Sequence, residues 1–143
     1  MSDAQRANVE LVQSVARVVE ANGPAGLMDI FEGAFHPDFE WHPGIIGLSR
    51  ISYSGREEFR EYLNQIGATS RRVELRDWTV RAAGDDHVLL TGELRFESRE
   101  KEHVAFDAEY AVVYRVEDTR LRSARSYSSI ADAEEAAMAL TDA

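Results

Sequence analysis

Four side chains that can carry protons or bind metals lie close together in the stretch FHPDFEWHPG. They are His36, Asp38, Glu40 and His42. Successive side chains of a strand point to opposite faces, so these four would share one face of an extended segment. Histidine and carboxylate groups suit zinc or iron. However, alternate residues of a strand are about 6.6 Å apart, so four in a row do not converge on one ion. We therefore expect no metal.

The two prolines of this stretch limit what its residues can do. Pro37 indicates that His36 and Asp38 belong to a turn that precedes the strand. Phe39 and Trp41 would then form the apolar face of the strand and pack against helices. A bulge in the strand would invert the two faces, and Trp41 would then contact a ligand in a pocket.

Length, composition and charge exclude several classes of protein. The chain has 143 residues, which predicts a single domain, 1–143. It has no cysteine, which excludes disulfides and a cysteine nucleophile. The net charge of −10 argues against binding to nucleic acid or to a membrane surface. Without an apolar run of membrane-spanning length or a signal-peptide pattern at the N-terminus, the expected location is cytoplasmic.

The first third of the chain has the apolar periodicity of helices. One helix covers the first twenty-odd residues and stops at Asn22-Gly23-Pro24. A shorter helix runs from Leu27 until Pro37. A third helix begins at the motif SGRE, in which Ser54 and Glu57 have the spacing of a capping box, and it ends at Gly67.

Residues 71–129 read as four strands of an antiparallel meander with turns at AGDD, SREKE and EDTR. The apolar phase slips within the first of these strands, which predicts a β-bulge near Arg76 or Asp77. The third strand, His103 to Val116, is so long that the sheet must curve. A last helix with Ser128 or Ser129 as its N-cap completes an α+β domain in which a curved antiparallel sheet wraps over helices.

Three segments, in this order and spacing, resemble the SnoaL-like family of the nuclear transport factor 2-like superfamily. They are NVELVQSVARVVEANGPAGLMDIFEGAFHPDFEWHP, YSGREEFREYL and AEYAVVYRVEDTRLRSARSYSSIADAEEAA. The resemblance implies a cone-shaped α+β fold, a homodimer formed through the outer face of the sheet, and an apolar pocket. Relatives include ketosteroid isomerase, polyketide cyclases, dehydratases and proteins that bind without catalysis, so fold does not settle function.

The resemblance also places candidate site residues. In the isomerase a general-base aspartate precedes a proline, and matching that proline to Pro43 puts His42 at the base position. A histidine there could exchange a proton near neutral pH. The isomerase's second acid falls on Ala111 or Val112, and the first helix has no tyrosine, so its oxyanion hole is absent.

Near the C-terminus, many SnoaL-like sequences have an arginine, an aromatic residue and an aspartate. The matching residues are Arg125, Tyr127 and Ser129, so the acid is replaced by a hydroxyl. Arg125 could bind a carboxylate or an enolate, or form a salt bridge on the dimer face. On the third long strand, Tyr110 and Tyr114 lie on an apolar face, where they could bind a ligand oxygen or simply pack.

These observations leave two hypotheses. In the first, the protein binds a small, apolar, oxygen-bearing molecule without a cofactor. If it is an enzyme, His42 is the general base, Tyr110 or Arg125 stabilises an oxyanion, and the reaction is an isomerisation, cyclisation or dehydration. The other predicted ligand contacts are Trp41, Tyr62, Trp78, Val112 and Tyr127. In the second hypothesis, the protein is a non-catalytic dimeric ligand-binding or interaction module.

Overall fold

The computed structural model describes residues 1–44, 52–99 and 105–142. In chain order its elements are α1 (Asp3–Asn22), a 3-10 helix (Pro24–Ile30), α2 (Phe31–Ala34), β1 (Phe35–His42), β2 (Tyr53–Ser54), α3 (Gly55–Thr69), β3 (Ser70–Ala82), β4 (His87–Ser98), β5 (Ala105–Glu117), β6 (Arg120–Tyr127) and α4 (Ile130–Thr141). The segment from Gly44 to Tyr53, which the sequence predicts to be a loop or short hairpin, lies mostly outside the described residues, as does most of the SREKE turn.

Both ends of α1 are fixed by local sequence. Ser2 and Gln5 form a reciprocal capping box at its start. Gly23 follows its last residue with φ of 78°, a value that favours glycine. The buried residues Val9, Val12, Val15 and Ala16 form the stripe that packs against the sheet. The helix predicted from the apolar periodicity is therefore confirmed.

The predicted second helix is shorter and less regular than expected. It consists of the 3-10 helix and the single turn α2, and β1 already begins at Phe35. His36 and Asp38 therefore lie in β1, and their assignment to a preceding turn is wrong. The pairing of β1 with β6 is irregular between Phe35 and Glu40. This irregularity is where the chain accommodates Pro37, which has no N–H to donate.

The start and the end of α3 also differ from the prediction. Ser54 is the N-cap but its side chain makes no capping hydrogen bond. Instead, the Ser54 backbone N–H donates to Glu58 Oε1 at 2.9 Å. The carboxylate that reaches back is one residue later than in a capping box, so the predicted Glu57 role is wrong. The helix continues through Gly67 to Thr69, since an isolated glycine in a helix is tolerated.

The six strands form one sheet in the order β2-β1-β6-β5-β4-β3. The predicted meander from β3 to β6 is confirmed, with antiparallel pairing at each step. The sheet is mixed, however, because β1 pairs with β6 in parallel. Helix α3 makes this possible, since it carries the chain from β2 at one edge of the sheet to β3 at the other edge.

The β-bulge predicted near Arg76 or Asp77 is confirmed. Arg76 pairs with Glu93 and Thr79 pairs with Thr91, so β3 has an extra residue between these positions. Asp77 has φ of 52°, which places it in the left-handed region. The bulge returns Trp78 and Val80 to the face that carries Leu75, which explains the slip in apolar phase.

The two faces of the sheet pack against different helices. The concave inner face carries the main core, together with buried residues from α1, α2 and α3. On the outer face, Leu89, Ala111 and Val113 form a second core with Ala133 and Ala137 of α4. Ser129 caps α4 by accepting a hydrogen bond from Asp132 N–H, as one of the two predicted caps. In the described part of the chain, no helix has the length and apolar character needed to span a membrane.

Candidate functional site

A cavity of about 520 Å³ lies between the inner face of the sheet and the helices. Most of the side chains that line it are apolar or aromatic. Its lining residues are Val19, Pro24, Leu27, Phe35, Phe39, Trp41, Gly44, Phe59, Tyr62, Leu63, Ile66, Thr69, Ser70, Val73, Leu94, Phe96, Phe106, Ala108, Glu109, Tyr110, Tyr114, Ser126, Tyr127 and Ser128. This volume lies within the range of small-molecule sites.

Three tyrosines supply hydroxyl groups to this apolar environment. Tyr62 comes from α3, and Tyr110 and Tyr114 come from the inner face of β5. The side chains of Tyr110 and Tyr114 are hydrogen-bonded to each other. Burial raises the pKa of Tyr62 to about 12 and raises the pKa of Tyr110 and of Tyr114 well above the usual value. All three hydroxyls are protonated at neutral pH, as tyrosine hydroxyls ordinarily are, and burial keeps them protonated into the alkaline range. One proton of the Tyr110–Tyr114 pair is used in their mutual hydrogen bond, so Tyr62 and one hydroxyl of the pair can donate to a ligand.

Trp41 lies beside Tyr62 in the wall of the cavity, with ring centroids 5.5 Å apart. Its indole Nε1 is buried and has no well-aligned acceptor among the described residues. The Tyr62 hydroxyl is near enough for Trp41 to lower its pKa, against the larger effect of burial. When the Tyr62 oxygen accepts from the indole N–H, its own proton remains free for another acceptor.

The cavity wall reaches from the end of β1 to the start of β5. The Gly44 N–H donates to Ser126 Oγ at 2.6 Å, which ties the end of β1 to β6. A Cβ atom at Gly44 would collide with the Ser126 carbonyl, so only glycine fits there. Phe96 and Phe106 stack with a centroid distance of 4.9 Å, and Phe106 is 57% exposed. The aromatic pair therefore lies where the cavity meets solvent.

Four of the predicted site residues line this cavity. They are Trp41, Tyr62, Tyr110 and Tyr127. The period-2 pattern of the third long strand correctly placed Tyr110 on the apolar face, and α3 brings Tyr62 toward it. Trp41 lines the cavity without an inversion of β1, because the apolar face of that strand itself borders the cavity.

His42 and Arg125 lie on the other side of the sheet. They pair in register with each other across β1 and β6, and Arg125 pairs with Val113 of the outer core. Neither is among the residues that line the cavity. The His42 Nε2 atom is 3.8 Å from Glu40 Oε2, on its own strand. His42 is therefore not near the tyrosine hydroxyls. Successive side chains of β1 point to opposite faces of the sheet, and the neighbouring Trp41 is the one that faces the cavity.

Trp78 and Val112 face the inner side of the sheet but do not border the cavity. Val112 is completely buried in the main core. Trp78 packs against this core at the bulge, and its Nε1 donates a 2.9 Å hydrogen bond to Glu20 Oε2 of α1. Both residues are on the predicted face, and Val112 lies on β5 between Tyr110 and Tyr114, whose larger side chains do line the cavity.

Glu109 was not selected by the sequence analysis. It is the one carboxylate among the described residues that line the cavity, and its Oε1 accepts a hydrogen bond from the Ile130 N–H at the start of α4. Its position on β5 predicts that it faces the outer side of the sheet, so the sequence pattern does not indicate that it borders the cavity. The signal that could have identified it is its place directly before Tyr110.

The side chains of His36, Asp38, Glu40 and His42 do not converge on one point, as expected from strand geometry. His36 instead lies near the turn between β5 and β6, where ligand atoms of His36, Glu117 and Asp118 are within 4.8 Å of one another. Glu117 is also 3.6 Å from Arg115 and 3.4 Å from Arg122. With two guanidinium groups beside Glu117, we interpret this group as an ion-pair cluster on the surface.

Comparison with solved structures shows the same fold in several proteins of low sequence identity. A proposed polyketide cyclase from Xanthomonas campestris pv. campestris has a TM-score of 0.73 and 14% identity, with 91% of this chain and 96% of that chain covered. A protein of unknown function with the nuclear transport factor 2-like fold from Burkholderia pseudomallei has a TM-score of 0.70 and 15% identity, with coverage of 92% and 95%.

A third solved structure contains a small ligand. It is a hypothetical protein with a ketosteroid isomerase-like fold from Catenulispora acidiphila, in complex with trimethylamine, with a TM-score of 0.67, 21% identity and coverage of 85% of this chain and 86% of that chain. No curated protein matches the sequence. The SnoaL-like domain family matches residues 12–124, which is most of the chain. The fold, the cavity between sheet and helices, and this match agree: the chain belongs to the SnoaL-like domain family.

Proposed function

We propose that this protein binds a neutral, apolar small molecule that carries a hydrogen-bond-accepting oxygen. The observation that supports this most directly is the set of tyrosine hydroxyls inside a mostly apolar cavity. Tyr62, Tyr110 and Tyr114 are protonated at neutral pH, and burial raises their pKa values so that they stay protonated at higher pH. A ligand carbonyl or ether oxygen would accept from one of them while the rest of the ligand replaces water against apolar walls.

The charge of the site favours a neutral ligand. The described lining residues include no lysine, arginine or histidine, and their one carboxylate, Glu109, accepts a hydrogen bond from the Ile130 N–H through Oε1. An anionic ligand would lose its hydration without gaining a cationic partner. The formal net charge of −10 adds long-range repulsion against anions.

The experiment is a calorimetric and thermal-shift measurement with a panel of ketones, lactones and aromatic polyketide-like compounds. Tyr110→Phe removes one hydroxyl and keeps the ring, and we expect it to weaken binding about fivefold to tenfold, as for one lost neutral hydrogen bond. Arg125→Ala is the matched control, since Arg125 lies on the outer face, and it should leave affinity unchanged. If no compound in the panel stabilises the wild-type protein, the proposal fails.

Proton-transfer catalysis in the same cavity is the second candidate function. The hydrogen-bonded pair Tyr110 and Tyr114 could stabilise an oxyanion that forms on a bound carbonyl oxygen. The reaction also requires a base, and Glu109, which directly precedes Tyr110, is the carboxylate among the described residues that line the cavity. An isomerisation, cyclisation or dehydration would fit this set of groups without a cofactor.

Deuterium exchange separates catalysis from binding. A ketone that binds is incubated in deuterated water, and NMR follows loss of the protons next to its carbonyl. Catalysis predicts exchange that Glu109→Gln abolishes, since the amide cannot act as a base but keeps an oxygen for the Ile130 N–H. Binding without exchange would identify the protein as a ligand-binding module.

A homodimer is also part of this proposal and rests on the family resemblance. On β3, β4 and β5, the part of the outer face beside α4 carries alternating charges. Its ion pairs include Arg71 with Glu97 at 2.8 Å and Arg95 with Asp107 at 3.5 Å. A surface with both signs of charge can meet a second copy of itself by exchanging partners across the contact.

A further inference from the structure

The ligand cavity has a polar end and an aromatic end on the same two strands. Along the inner faces of β4 and β5, the paired positions are Phe96 with Phe106, Leu94 with Ala108, and Gly92 with Tyr110. Phe106 and Tyr110 are four residues apart, which is about 13 Å along a strand. The backbone positions of Tyr110 and of the stacked phenylalanines are thus separated by about the length of a small molecule.

The segment between the two ends is lined mostly by apolar side chains. Ala108 lies between Phe106 and Tyr110 on β5, and Leu94 pairs with it from β4. Ile66 and Val73 complete the wall near the phenylalanine pair. The Leu94, Ala108, Ile66 and Val73 side chains of this segment offer apolar surface to a ligand.

The exposure of Phe106 suggests what this end contacts. The ring stacks on Phe96 with an interplanar angle of 16°, so one of its faces is covered. Yet 57% of the residue remains exposed at the cavity mouth. A flat, rigid, exposed aromatic surface beside an apolar cavity is a surface on which another planar ring gains contact and stacking energy.

We propose that the ligand is elongated, with an oxygen acceptor at the Tyr110 end and a planar aromatic ring that stacks on Phe106 at the mouth. This inference rests on the proposed ligand-binding function and specifies the ligand class. Phe106 is a specificity-determining residue for the distal ring, and Tyr110 recognises the oxygen. The two contacts act on opposite ends of the molecule, so their effects on affinity are independent.

Two matched probes test this assignment. In 4-acetylbiphenyl the ring far from the carbonyl is aromatic, and in 4-cyclohexylacetophenone it is saturated. Dissociation constants are measured by titration calorimetry. We expect the wild-type protein to prefer the biphenyl by about threefold to tenfold. Phe106→Ala and Phe106→Leu should both reduce this preference to near one, while Tyr110→Phe should weaken both probes equally and keep the preference.

The control is Met138→Ala, since Met138 is an exposed apolar residue on α4, 64% exposed, that does not line the cavity. It should change neither affinity nor preference. Equal binding of both probes to the wild-type protein, or a preference that survives in both Phe106 variants, overturns the aromatic assignment and leaves the proposed function intact. If neither probe binds, the assignment is overturned as well; the proposed function falls with it only if the panel of ketones and lactones also fails to bind.

Discussion

The indole Nε1 atom of Trp78 donates a 2.9 Å hydrogen bond to Glu20 Oε2 and thereby joins β3 to the last turns of α1. Trp78 reaches α1 because the bulge at Asp77 turns its side chain to the inner face. The same bond explains why Trp78 is a structural residue: its one donor group is already used, and its ring packs against the core beside the cavity.

We predict that Glu20→Ala lowers the free energy of unfolding by about 1 kcal/mol, the net contribution of a partly exposed hydrogen bond to a charged group. Glu20→Gln keeps an acceptor oxygen and should lose less. Urea unfolding followed by tryptophan fluorescence measures both. Glu10→Ala is the control, because Glu10 is an exposed residue of the same helix. Equal stabilities of Glu20→Ala and Glu10→Ala would show that the bond contributes nothing.

The cavity tyrosines predict a distinctive alkaline titration. The chain has five tyrosines. Because burial raises the pKa of Tyr62 to about 12, and raises those of Tyr110 and Tyr114 further still, these three should remain protonated at pH 11. Absorbance near 295 nm would then show at most two phenolates before unfolding. Ionisation of all five in the folded protein at that pH would contradict the buried placement.

The same shifts determine how stability depends on pH. In the unfolded chain tyrosine ionises near pH 10. Because the pKa of Tyr62 is about 12 in the folded protein, the folded state holds its proton when the unfolded state releases it. The contribution is complete below pH 10 and is lost as pH rises toward 12, at about 1.4 kcal/mol per pH unit for one tyrosine. Tyr62→Phe should reduce this slope in urea melts between pH 9.5 and 11.

The bulge offers a test of backbone conformation. Asp77 is exposed and has φ of 52°. Glycine adopts this backbone conformation without strain, whereas a β-branched residue is strained in it. We expect Asp77→Gly to leave stability within about 1 kcal/mol of the wild type and Asp77→Val to lower it by about 1–3 kcal/mol. Thr79→Val, in the regular part of β3, is the control. Equal effects of the two valine substitutions would mean that position 77 carries no strain.

Sequence reasoning predicted most of the fold because local patterns determine it. The bulge was visible as a change of apolar parity between Leu75 and Trp78, and the four-strand meander as alternation with polar turns. The parallel pairing of β1 with β6 could not be predicted in this way, because it joins residues about 80 positions apart, such as Trp41 and Ala124.

The candidate site was predictable only in part, for a related reason. Tyr110 is identified by the face of its own strand. The outward direction of His42 also follows from alternation, but matching Pro43 to a relative's proline assigned a role by position in the family. The nearness of Tyr62 to Tyr110 depends on how α3 crosses the sheet, and α3 extends two residues beyond the predicted end at Gly67. No local sequence pattern indicates how α3 crosses the sheet.

The proposed homodimer predicts a salt-dependent molecular mass. The chain has a mass of 16.1 kDa, and light scattering at low ionic strength should give about twice that value. At 1 M salt, where the screening length is about 3 Å, ionic contacts across the outer face weaken and the monomer should predominate. Arg72→Glu should shift the equilibrium toward the monomer at low salt. A monomer at every salt concentration would rule out this interface.

The placement of His42 gives the sharpest comparison between the two sequence hypotheses. If ligands bind in the cavity, His42→Ala should change their affinity less than twofold, because the imidazole lies on the opposite face of β1 from Trp41 and beside Glu40. Tyr110→Phe, measured with the same compound, should weaken binding about fivefold to tenfold. The two variants are first compared by thermal melting, so that a loss of folding is not mistaken for a loss of binding.

If His42→Ala abolishes turnover of a compound whose binding Tyr110→Phe leaves unchanged, then the chemistry occurs on the outer face. In that case the family-based assignment of the base is correct, and the cavity serves another purpose.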